Sequence, residues 1–100
     1  MISERARDLH FSSVVVDTHS DSLVWTIDEG EDMAVDLAHR HVTLPKMRAG
    51  GVSAQFFAGW ADPARFGPET CVRRTLDFID AMHRICAEHP DEIELARTVS

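Results

Sequence analysis

Long apolar runs are absent from this chain, and no stretch approaches the roughly 20 residues that a helix needs to cross a bilayer. Its opening, Met-Ile-Ser-Glu-Arg-Ala-Arg-Asp-Leu-His, is charged and lacks the apolar stretch of a secretory signal. A cytoplasmic protein without a membrane span is the expectation. Basic residues are scarce, with ten Lys and Arg against seventeen Asp and Glu and a net charge of −7. Nucleic acid selects a basic face, so it is excluded as a partner. Only two cysteines occur, Cys71 and Cys86, without a Cys-x-x-Cys motif. Both fall in one predicted helix, about 22 Å apart along its axis, which rules out a disulfide between them. A structural zinc site built on cysteine goes with it. Repeats, low-complexity tracts and linkers are missing too. The 100 residues, 44% of them apolar, are read as one domain over residues 1–100 with enough material for a core.

What is present is an apolar run that ends in a charged pair. Val14-Val15-Val16-Asp17-Thr18-His19-Ser20-Asp21 begins with β-branched residues, the mark of a strand buried on both faces, as in a parallel sheet. Residues two apart on a strand share a face, so His19 and Asp21 project together, with Cα atoms about 6.6 Å apart. An imidazole nitrogen and a carboxylate oxygen at that spacing can converge on one cation, each about 2.0–2.2 Å from zinc. A helix would turn the two apart. The plain alternative is a capped strand end with solvated polar residues. Asp17 has the same parity, one pleat deeper. A carboxylate there needs a hydrogen bond or a cation, and it is read either as a support for the two ligands or as a backbone-bonded strand-edge residue.

The remaining elements follow from local chemistry. Residues 3–10 fit a short surface helix capped by Ser3. A strand is expected over residues 13–18, then a loop over 22–43 with one helical turn. Leu44-Pro45-Lys46-Met47-Arg48 fits a short helix with Pro in its first turn and a stop at Gly50-Gly51. A second strand is expected over 52–59. Gly67-Pro68-Glu69-Thr70 opens a long helix with Val72, Leu76, Ile79, Met82 and Cys86 as its apolar stripe, and Pro90 ends it. Residues 91–99 begin another short helix. Strand, connection, strand, helix is the rhythm of a parallel α/β protein. A complete (β/α)8 barrel takes about 250 residues, so the chain reads as its first quarter, about two β/α units.

Two segments carry a resemblance to a known family. Asp17-Thr18-His19-Ser20-Asp21 resembles the first metal-binding segment of the renal (membrane) dipeptidase family, the M19 metallopeptidases. His41-Val42-Thr43-Leu44-Pro45-Lys46-Met47-Arg48-Ala49-Gly50-Gly51-Val52-Ser53-Ala54-Gln55-Phe56-Phe57 is similar to the family segment that leads into its second barrel strand. The resemblance spans roughly residues 8–100. It implies the N-terminal portion of a zinc-dependent TIM barrel that hydrolyses the peptide bond of dipeptides with a metal-activated water. It further implies two zinc ions bridged by a glutamate, with His19 and Asp21 as ligands to one of them. Amidohydrolase-like barrels more often carry His-x-His at this point, and the aspartate favours the dipeptidase branch. The bridging glutamate and the other ligands belong to later strands of the family. Rival readings are another metal-dependent barrel hydrolase (a deaminase or a phosphotriesterase-like enzyme) and a non-catalytic truncated barrel.

Other residues are weaker candidates. Trp25 is read equally as a wall of the substrate pocket and as a core or loop anchor. His39 and His41 could form a second site, but solvated histidines fit the weak signal better. His10 carries no motif, and His83 and His89, six apart, share no helical face. Lys46 and Arg48 read as helix-surface cations rather than an anion patch. Phe56, Phe57 and Trp60 are expected to pack in the barrel and against helices. A homo-oligomer remains open.

Overall fold

The computed structural model describes residues 1–99 and shows a mixed α/β arrangement with two parallel strands; Ser100, the last residue of the expected domain, lies outside the described residues. The elements run α1 (Glu4–Ser12), β1 (Val16–Ser20), α2 (Leu23–Asp28), α3 (Leu44–Ala49), β2 (Ala54–Phe57) and α4 (Cys71–Glu88).

Helix ends follow the chemistry of their flanking residues. Ser3 caps α1, its side chain accepting from the Ala6 N–H. Thr43, fully buried, caps α3 in the same way by accepting from the Lys46 N–H. At the other end of α3, the Gly51 N–H donates to Arg48 O and the Val52 N–H to Met47 O. That double closure needs a left-handed residue after the cap, and Gly51 provides it with φ +72°. A Cβ on Gly51 would also meet the Phe11 ring at 3.0 Å, because α1 docks against this turn. The same contact holds the His10 side chain, whose Nε2 lies 2.6 Å from Gly50 O.

β1 and β2 pair Val16 with Ala54 and Asp17 with Gln55, then slip, so that Ser20 faces Phe57. Three steps on β1 are thus matched by two on β2. The strand lies later than expected, ending at Ser20 rather than residue 18, which brings His19 inside it.

The core forms where α2, the loop after it and α4 meet. Leu23, Trp25, Met33, Leu44, Phe78 and Ile85 are buried in one cluster, with Phe57 and Met82 packed at its margin. Met33 is drawn in by its loop, whose Met33 O accepts from the Leu44 N–H at 2.9 Å. Arg40 covers this core from the loop, its guanidinium 5.1 Å from the Trp25 ring centre.

The inward face of α4 differs from the expected stripe. Arg74, Phe78, Ala81 and Ile85 are buried, whereas Val72, Leu76 and Ile79 are exposed. Both sets repeat at helical spacing, so periodicity alone could not choose between them. Arg74 decides the matter, and a count of apolar residues scores it as polar. Its side chain is 7% exposed, and NH1 and NH2 donate to Asp28 Oδ1 and Oδ2 at 2.6 and 2.9 Å. Its guanidinium lies 4.7 Å from the ring centres of both Phe66 and Phe78. A bidentate pair packed beside two aromatic rings ties the end of α2 to the start of α4.

Three further expectations change. β1 is exposed over Val16–His19 instead of covered on both faces, because the described residues place no layer over it. Phe56 and Trp60 are exposed, and only Phe57 reaches the core. Residues 91–99 form a turn and extended chain, not a helix. Cys71 and Cys86 are free thiols on α4, and burial pushes the Cys86 thiol above its ordinary pKa.

Asp28→Ala should strip the buried Arg74 of its counter-charge and destabilise the full-length protein by about 3 kcal/mol. Asp28→Ala combined with Arg74→Met, which keeps the apolar stem, should recover most of that loss. Urea midpoints of the two variants against the parent test both statements.

Candidate functional site

The site forms at the carboxyl end of β1, where the strand turns into α2. His19 lies within the slip between Asp17 and Ser20, where an extra residue bends a strand and re-aims its side chains. The His19 N–H donates to Asp17 Oδ1 at 3.2 Å. Asp17 therefore holds the backbone of the residue it was expected to support, and this bond matches the backbone-bonded reading. The strand ends at Ser20, whose carbonyl accepts from the Ala58 N–H at 2.8 Å. Asp21 follows at once, and its own carbonyl accepts from the Val24 N–H at 3.1 Å as α2 begins.

The structure brings His19 and Asp21 together. His19 Nε2 lies 3.1 Å from Asp21 Oδ2, with the two side chains 66% and 54% exposed. Two ligands each about 2.0–2.2 Å from one zinc ion lie about 2.8–3.6 Å apart at right-angle to tetrahedral geometry. The donor pair fits one edge of such a coordination shell, and its exposure leaves the remaining positions accessible. The other imidazole and carboxylate groups do not join it. Among the described residues no group of three or more His, Cys, Asp or Glu is placed to hold a metal ion.

Trp25 lies one helical turn away but points into the core, 9% exposed. His39 Nε2 pairs with Glu31 Oε1 at 2.9 Å, and Glu31 also receives Arg40 Nε at 2.8 Å. His89 lies 3.5 Å from Asp32 and 3.9 Å from Glu92. Lys46 Nζ is bound to Leu37 O and Arg40 O, each at 2.5 Å, and Arg48 pairs with Glu92. His39 and Arg40 thus close the loop on itself, and Lys46, Arg48 and His89 fasten loops to helices.

Sequence reasoning passed over Ser20 and Ser22, which flank Asp21. Both are 8% exposed, and their hydroxyl oxygens lie 2.5 Å apart. The available signal was Ser22 itself, a capping residue type directly before the apolar Leu23-Val24-Trp25.

Two carboxylates away from the site have lowered pKa values. Hydrogen bonds from Arg40 and then His39 hold Glu31 down to about 2 from the ordinary 4.5. The bond from Arg74 is the main cause of the lowered pKa of Asp28. A carboxyl depressed in the folded state contributes stability that is fully present above its unfolded pKa and lost as pH falls through the folded one.

A family model described as membrane dipeptidase (peptidase family M19) matches residues 3–100. The dipeptidase ataJ of Aspergillus terreus is 32% identical over 72 residues, covering 65% of this chain and 18% of that protein. The match therefore spans less than a fifth of that curated relative's length. No solved structure matches. Among the described residues no helix is long and apolar enough to cross a membrane.

Acid should lower the stability of the protein as pH falls from about 4.5 to about 2, the window bounded by the unfolded and folded values of Glu31. Melting temperature recorded across that range should fall with pH, and Glu31→Gln should flatten the fall while lowering the plateau near neutrality.

Proposed function

Because the chain belongs to the membrane dipeptidase family, peptidase family M19, we propose that it forms the N-terminal portion of a zinc-dependent dipeptidase. The observation that carries this reading is the 3.1 Å approach of His19 Nε2 to Asp21 Oδ2 at the carboxyl end of a parallel strand. Parallel α/β barrels place catalysis at that end, and the parallel β1–β2 pair with its helical connection suits the first two units of one.

In this reading His19 and Asp21 hold one metal ion from one side, and Asp17 fixes the backbone that leads into His19 by accepting the His19 N–H. Zinc, when bound, would polarise the scissile carbonyl and lower the pKa of a water toward neutrality. The substrate class, a dipeptide, follows the family and the relative named as a dipeptidase. Catalytic zinc uses about three protein ligands. In this reading His19 and Asp21 supply two of them, and the later strands of the family's barrel would supply the rest.

In the full-length protein, His19→Ala and Asp21→Ala should each lower dipeptide hydrolysis by at least about 100-fold and reduce bound metal. Metal content by elemental analysis, with kcat/KM on a dipeptide panel, tests this. Wild-type activity in either variant, or turnover restricted to phosphoesters or aminopurines, would overturn the assignment. Residues 1–100 alone, given excess zinc, should show no metal-dependent turnover, because two ligands do not fix a catalytic geometry.

A further inference from the structure

Ser22 stands at the N-cap of α2 but does not cap it. Its backbone is in the helical region, φ −62° and ψ −22°, and its side chain makes no bond to the first turn. A serine in this place ordinarily accepts from an N–H two or three residues on. Here the Ser22 hydroxyl instead lies 2.5 Å from the Ser20 hydroxyl, and the Ser22 N–H donates to Ser20 Oγ at 3.3 Å. Both residues are 8% exposed, so two buried hydroxyls face each other beneath a well-exposed Asp21.

The consequence is a turn fixed at three points. Ser20 O is fastened to β2 through the Ala58 N–H, Ser20 Oγ to Ser22 through the hydroxyl pair, and Asp21 O to the Val24 N–H. Asp21 is the residue that this clamp encloses. Its backbone is held, and only its side-chain torsions remain to bring Oδ2 to 3.1 Å from His19 Nε2.

We infer that Ser20 and Ser22 are positioning residues for the His19–Asp21 pair: their buried hydroxyl contact sets the turn that aims the Asp21 carboxylate at the ion His19 binds. This rests on the proposed role of His19 and Asp21 as ligands. Neither serine touches the ion. Partners that orient metal ligands from behind typically account for about 10–100-fold in metal affinity. The two hydroxyls act as one device, so removing either should forfeit the effect of both.

The test uses the full-length protein loaded with cobalt(II) after removal of its own metal. Affinity is followed by titration, and ligand geometry by the visible absorption bands of the bound ion. Ser20→Ala and Ser22→Ala should each weaken cobalt binding about 10-fold and shift those bands. The double variant should be no weaker than either single one, and Ser22→Thr, which keeps the hydroxyl, should bind like the parent. Melting temperature serves as the check on folding, since a merely structural serine would lower it without altering affinity or spectrum. Parent-like affinity and spectra in both alanine variants, or additive losses in the double variant, would overturn the inference. His19→Ala distinguishes the underlying reading. If it abolishes binding while the serine variants do not change it, the positioning role fails and the ligand assignment stands. If His19→Ala binds cobalt like the parent, the ligand assignment itself fails.

Discussion

The bidentate Arg74–Asp28 pair is the constraint on which the packing of this chain depends. It joins residues 46 positions apart, and it selects which face of α4 turns inward. Once Arg74 is drawn to the end of α2, Phe78, Ala81 and Ile85 follow on the same helical face and meet Leu23 and Trp25. A buried ion pair is a poor source of net stability and a strong source of specificity when its partners cannot be satisfied elsewhere. The rings of Phe66 and Phe78 each lie 4.7 Å from the guanidinium, and among the described residues the Asp28 carboxylate is its ion partner.

A second polar network does comparable work in the loop. Arg40 reaches Glu29 and Glu31 while its guanidinium covers Trp25, and His39 adds a further bond to Glu31. The stretch between α2 and α3 looks structureless by periodicity, yet it is folded back by charge pairing and by the burial of Met33. The acidic run there is thus structural: Glu29 and Glu31 are paired with cations of the same loop, and Asp32 with His89 at the end of α4.

Local chemistry was legible in the sequence, and long-range choices were not. Ser3, Pro45 and Gly51 announce helix ends because capping and left-handed turns depend on a few adjacent residues. Parallel strands separated by a helical connection follow from the rhythm of the apolar segments. The inward face of α4 was hidden because Val72-Leu76-Ile79 and Phe78-Ala81-Ile85 are equally periodic, and the deciding partner, Asp28, is remote in sequence. The pair at the end of β1 was visible as a spacing of two. The means of its convergence was not: regular alternation would bring the two side chains to one face, whereas a slipped register and a turn between two serines do so here. A bulge leaves no mark in a single sequence, and a hydroxyl pair looks like two ordinary polar residues.

The β1–β2 pairing has a consequence for the order of assembly. The contact between Val15 and Ser53 closes a loop of 38 residues, and a non-local pairing of that kind cannot form until the loop between its partners has closed. During synthesis β1 leaves the ribosome well before its partner strand exists. For that interval Val14, Val15 and Val16 are an unpaired β-branched edge, the kind of segment through which nascent chains adhere to one another. The helix ahead of it carries Glu4, Arg5, Arg7 and Asp8 and buries none of its residues. Charged residues beside an apolar strand are the usual guard against such contacts, and the four in α1 stand directly ahead of this one.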